Sequence, residues 1–178
     1  LLSYESAEQL LAESDARRFL HVILLNAIRD QATQLEIRFG ETGGLLYYRV
    51  NGRDWELAPP PEAIYPQLKD TVRAVARLVQ PERPEVTVLA GVPGARYEPL
   101  EVGWLTYQIA GQWLDLVVRI DPREPFGFIR FDIDGAEELA SAAGEALAAY
   151  AARLAAEEAA TDSETLLTED RLSTESAP

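Results

Sequence analysis

The sequence predicts an α+β fold, two helices packed on a mostly antiparallel sheet, and three observations carry that expectation. Residues 16–31 form a helical stretch that is apolar nearly all round, at Phe19, Leu20, Val22, Ile23, Leu24, Leu25 and Ala27. A helix without a polar face belongs inside a fold, against a sheet. Short alternating runs surround it, punctuated by turn residues, and Asn51-Gly52 is the strongest short hairpin signal there is. A second helix follows, with Leu68, Val72, Val75, Ala76 and Val79 at helical spacing.

Taken in order, residues 1–12 are expected to form a short amphipathic helix through Leu2, Leu10 and Leu11. Ser14 and Asp15 offer cap chemistry for the apolar helix. Residues 34–39 alternate, with Leu35, Ile37 and Phe39 on one face and Glu36 and Arg38 on the other. Residues 45–50 and 53–58 make a hairpin about Asn51-Gly52, and Pro59-Pro60-Pro61 stops it because proline cannot donate to a sheet ladder. The second helix is expected over 62–79. Residues 80–99 hold four prolines and read as an irregular connection, with one strand candidate at 86–89. Residues 102–109 and 112–120 form a hairpin about Ala110-Gly111, and 126–133 supply a last strand. Gly135 then precedes an alanine-rich helix over 136–159, and residues 161–178 read as a disordered acidic tail. The expected organisation is therefore an α+β domain over 1–135, a C-terminal helix over 136–160 and the tail.

Charge and composition exclude several function classes. The net charge of −14 argues against nucleic acid, whose phosphates require clustered lysine and arginine. Ten acidic and two basic residues fall after Gly135, so the excess is concentrated there. The absence of cysteine excludes disulfides, thiolate metal sites and cysteine nucleophiles. No apolar run approaches the roughly 20 residues of a membrane span. The opening residues lack the basic region and cleavage site of a signal peptide, so a cytoplasmic location is expected.

Several stretches together resemble a known module, the PAS-like N-terminal domain of the type II secretion and type IV pilus assembly ATPases. Residues 16–29 are similar to the family's opening helix, and Gln34-Leu35-Glu36-Ile37-Arg38 sits where the family reads SDIHIEP. Leu46-Tyr47-Tyr48-Arg49-Val50-Asn51-Gly52-Arg53 resembles VRYRIDGVL. The proline run with the helix ending Val75-Ala76-Arg77-Leu78, and residues 108–119, resemble two further family segments. The likeness covers roughly 14–133. It implies a partner among secretion or pilus ATPases or their inner-membrane partner. The departures are specific. No phosphate-binding G-x-x-x-x-G-K-[ST] motif is present, and the sole lysine, Lys69, lies within a helix. Of two family arginines that reach toward nucleotide on the adjacent motor, Arg49 stands at the first position and Thr71 replaces the second. These departures argue against nucleotide sensing.

Candidate chemistry is sparse. His21, the only histidine, lies in the buried helix without a visible partner and reads as structural. Asp115, Asp121, Asp132 and Asp134 read as solvated surface rather than as paired carboxylates or a metal site. Gly91-Val92-Pro93-Gly94 reads as a turn, since proline removes a donor a phosphate loop would use. The aromatics Trp55, Trp104, Trp113, Tyr47, Tyr48 and Tyr107 crowd the expected sheet, and Trp104 and Trp113 are the preferred exposed pair for docking a protein. The stripe of Leu139, Ala143, Leu147, Tyr150 and Leu154 suits either the domain or a partner helix.

The sequence-based expectation is a non-catalytic interaction module or adaptor without cofactor or metal. Its partner-binding candidates are Arg49, Trp104, Trp113, Leu147, Tyr150 and Leu154, and neither nucleic acid nor direct membrane insertion is expected. A chaperone-like or antagonist protein with an unrelated client, and a small-ligand sensor, are the alternatives.

Overall fold

The computed structural model describes residues 1–40, 43–79, 100–123 and 126–174, with side chains as far as Thr161. Its elements are β1 (Leu2–Tyr4), α1 (Ala7–Ala12), α2 (Asp15–Arg29), β2 (Gln34–Arg38), β3 (Leu45–Val50), β4 (Arg53–Leu57), α3 (Tyr65–Val75), β5 (Arg77–Val79), β6 (Glu101–Ile109), β7 (Gln112–Ile120), β8 (Phe128–Asp132) and α4 (Ala140–Thr174). Single 3-10 turns precede α3 and α4. The fold is α+β, as expected.

One sheet runs in the order β1-β6-β7-β8-β2-β3-β4, with β5 also on β6. Every pairing is antiparallel except β1 with β6. Both two-residue hairpin turns have positive φ at each position, 51° and 74° at Asn51-Gly52 and 51° and 78° at Ala110-Gly111. That geometry matches the twist of the flanking strands.

The helices cover one face. Leu20, Leu24, Leu25 and Ile28 of α2 are fully buried against Leu35, Ile37, Leu105, Leu116, Ile129 and Phe131 of the sheet. Each such aliphatic side chain contributes about 2 kcal/mol of transfer free energy. The wide apolar surface of α2 has a direct cause: it touches the sheet on one side and α1, α3 and α4 on others. The helix is not apolar all round, since Asp15, Arg17, Arg18, Asn26 and Arg29 stay at least partly in solvent.

Two expected helices are corrected. Residues 1–12 open as a strand, because Leu2 is buried and pairs with Tyr107, and the helix starts only after Ser6, whose hydroxyl accepts from the Gln9 N–H at 3.2 Å. The helix expected over 62–79 stops at Val75, and Arg77–Val79 becomes a strand on β6. Strands β1 and β5 thus share one edge of β6, β5 along Val102–Trp104 and β1 along Tyr107–Ile109. The strand candidate at 86–89 lies outside the described residues.

The C-terminal helix begins on the domain and leaves it. Leu139, Ala143 and Ala146 are buried, and the Tyr4 hydroxyl donates to the Ala146 carbonyl at 3.2 Å. From Ala151 to Thr161 every residue is exposed. The backbone continues as helix to Thr174, over part of the segment expected as a tail.

Candidate functional site

Alternation along the strands sorts side chains onto two faces. On β6, Gly103, Leu105, Tyr107 and Ile109 point toward the helices, and Val102, Trp104, Thr106 and Gln108 point away. Register then fixes the outer face strand by strand. One row runs Trp104, Val117, Asp132, Gln34, Arg49, Asp54, and the next runs Val102, Arg119, Arg130, Glu36, Tyr47, Glu56.

Trp104 and Trp113 are 50% and 69% exposed on this outer face. Trp104 pairs with Val117, four residues along β7 from Trp113, a separation of about 13 Å. Between them Thr106 donates to the Asp115 carboxylate at 2.5 Å. An open concavity of about 560 Å³ beside Trp104 reaches Ala76, Arg77 and the Thr106–Asp115 pair. Two large apolar surfaces flanking a polar pair form a surface suited to protein docking.

The middle of the outer face is ionic. Glu36 is 1% exposed, and its carboxylate accepts from Arg38 Nε at 2.5 Å, Tyr47 Oη at 2.7 Å and Arg130 Nε at 2.6 Å. Burial pushes the Glu36 carboxyl up, but the hydrogen bonds from Tyr47, Arg38 and Arg130 together hold it below its ordinary value. Tyr47 is pushed up to about 12 by burial and then by its bond to Glu36. Asp132 pairs with Arg119 and accepts from Gln34 Nε2 at 3.0 Å.

The other candidates divide between the two layers. Arg49 lies on the Trp104 row, four strand spacings or about 19 Å away, and grips Asp54 through bonds of 2.7 and 3.1 Å. Leu147, Tyr150 and Leu154 lie on α4, in the helical layer. Leu147 packs on the core, Tyr150 is half-buried and Leu154 is exposed, so this helix divides between domain and solvent. Tyr107 points into the core, and Tyr48 and Trp55, cross-strand neighbours, share the helix side of the sheet. The exposed aromatics on the outer face therefore reduce to Trp104 and Trp113, with Tyr47 in the ionic cluster.

Three polar groups depart from the sequence reading. His21 has a partner: its Nδ1 lies 2.9 Å from the Tyr107 hydroxyl. Burial, and then the nearby Arg17 charge, pull His21 down to about 4, and burial raises Tyr107. Asp121 is not solvated surface but 1% exposed, paired with Arg123, which also donates its N–H to the carboxylate at 3.2 Å. Lys69 is 3% exposed, and its ammonium donates to the carbonyls of Arg123 at 2.8 Å and Phe126 at 3.1 Å, stapling α3 to the loop after β7. The partners of His21 and Lys69 are far away in sequence, so no local spacing signals them, whereas Arg123 lies two residues from Asp121.

Among the described residues no three His, Asp or Glu side chains are placed to hold a metal ion. No described helix is long and apolar enough to cross a membrane. The Gly91–Gly94 turn expected from the sequence lies outside the described residues. The chain matches no family model, and no curated protein matches it.

Proposed function

We propose that this chain is a non-catalytic, cytoplasmic interaction module that docks a partner protein on the outer face of its sheet, as an adaptor associated with a secretion or pilus assembly ATPase. The observation that carries the docking role is the pair of half-exposed tryptophans, Trp104 and Trp113, on the face opposite the helices. Burying two indoles is a large energetic gain for an interface, and tryptophan is the residue most enriched among binding hot spots. Support for the ATPase association comes from the resemblance, whose quoted stretches fall on α2, β2, the β3–β4 hairpin, α3 and the β6–β7 hairpin in turn. Arg49 has no nucleotide-directed role in this reading, since its guanidinium is already engaged on Asp54.

Affinity capture from the native host tests it, with the wild-type chain beside a Trp104→Ala/Trp113→Ala variant and the recovered proteins identified by mass spectrometry. A secretion or pilus ATPase, or its membrane partner, is expected with wild type and lost with the variant. A single unrelated client lost with the variant would keep the docking face and remove the ATPase association. Equal recovery with both chains would remove the docking face.

A further inference from the structure

Strand β4 ends the sheet, and among the described residues no strand pairs with its far side. Its neighbour across the Asn51-Gly52 turn is β3, with Val50 opposite Arg53. In a two-residue hairpin the residues flanking the turn exchange both backbone hydrogen bonds. Alternation then turns the backbone groups of Arg53, Trp55 and Leu57 toward β3, and those of Asp54 and Glu56 toward the open edge. Edge strands are commonly blunted by proline, a bulge or charged side chains; β4 has no proline and no bulge, and its charges are Arg53, Asp54 and Glu56.

We propose that the β4 edge receives an extended segment of a partner protein as an added strand, one that alternates basic and apolar side chains. The charge pattern selects that occupant. Asp54 and Glu56 stand on the outer face, and Asp54 is already paired with Arg49. Glu56 makes no ion pair or side-chain hydrogen bond with the described residues. An added strand brings a side chain to about 5 Å from the uncompensated Glu56, where a basic residue is favoured and an acidic one opposed. The next residue of that strand falls on the other face beside Trp55, whose indole is 56% exposed, and an apolar side chain covers it. A cleft of about 330 Å³ is lined by Arg38, Leu45, Tyr47, Asp54 and Glu56, so that two carboxylates face it against one guanidinium. A second copy of this chain fits poorly, because β4 paired with itself about Trp55 sets Asp54 against Glu56 of the other copy.

The experiment is amide exchange by NMR on the full chain, with a short synthetic peptide alternating lysine and valine and a control with glutamate for lysine. The lysine peptide is expected to bind saturably and slow exchange at the Asp54 and Glu56 amides, while the glutamate peptide does neither. Glu56→Pro removes an outward-facing N–H without touching the β3–β4 ladder, and Glu56→Lys reverses the charge. Each is expected to weaken binding about tenfold or more. Unprotected Asp54 and Glu56 amides, equal binding of the glutamate peptide, or wild-type affinity in both variants would overturn the proposal. So would protection of the same amides by self-association without peptide.

Discussion

Trp104 and Trp113 stand on neighbouring strands and face the same way, with the bonded Thr106–Asp115 pair between them. Neither indole supports the core, which lies on the other side of the sheet. Trp104→Ala combined with Trp113→Ala is therefore expected to change unfolding free energy by no more than about 1 kcal/mol. Urea denaturation of the double variant checks this, and a large loss would assign the pair a packing role.

His21 makes stability depend on pH. The folded histidine titrates at about 4, the unfolded one near 6.5. Between those values the unfolded chain binds more protons, so stability falls as the medium is acidified through this window. Moving from neutral pH to about pH 5 is expected to cost about 2 kcal/mol. Urea melts at both values on wild type and His21→Phe provide the check, the variant losing less across the same interval.

Glu36 acts in a lower window. Its carboxyl is held below the ordinary glutamate value, so its contribution is complete above that value and disappears as pH falls through the folded one. Glu36→Gln removes the charge while leaving the partly exposed Arg38 and Arg130 near one another, and is expected to cost about 1 kcal/mol at neutral pH. Denaturation at neutral and acidic pH tests both points, since the gap between the two chains closes in acid.

Gly103 admits no side chain. A Cβ there would lie 2.2 Å from the Arg77 carbonyl oxygen and 2.7 Å from the Leu78 Cα. Gly103→Ala must therefore push β5 off β6, at about 2 kcal/mol. A melting temperature lower by about 6 °C is expected in a thermal scan.

The C-terminal helix has two parts with different duties. Ending the chain at Gly135 removes Leu139, Ala143 and Ala146 from their packing and is expected to abolish a cooperative melt. Ending it at Ala155 removes only exposed residues within the described side chains and is expected to leave the melt within about 1 °C. Calorimetry on both truncations separates the packed turns from the projecting ones.

The elements legible in the sequence were those specified locally. The apolar α2, the Asn51-Gly52 and Ala110-Gly111 hairpins and the alternation of Leu35, Ile37 and Phe39 all appear where periodicity puts them. Strands β1 and β5 were not legible, because three residues carry no period and become strands only by pairing with β6. Glu36 reads as a polar-face residue, and only the register that seats Tyr47 and Arg130 beside it reveals a buried carboxylate. The Lys69 contacts depend on where a distant loop returns. The exposure of Trp104 and Trp113 follows from alternation, but their shared face required the β6–β7 register.

Site-specific photo-crosslinking in the native host tests the central claim most directly. Gln108, opposite Trp113 on the outer face, is replaced by p-benzoylphenylalanine, with a control at Glu145 on the exposed side of α4. The docking reading expects one discrete adduct from position 108, containing a secretion or pilus component, and none from 145. An adduct from 145 with none from 108 would place the partner on the helical layer and contradict it.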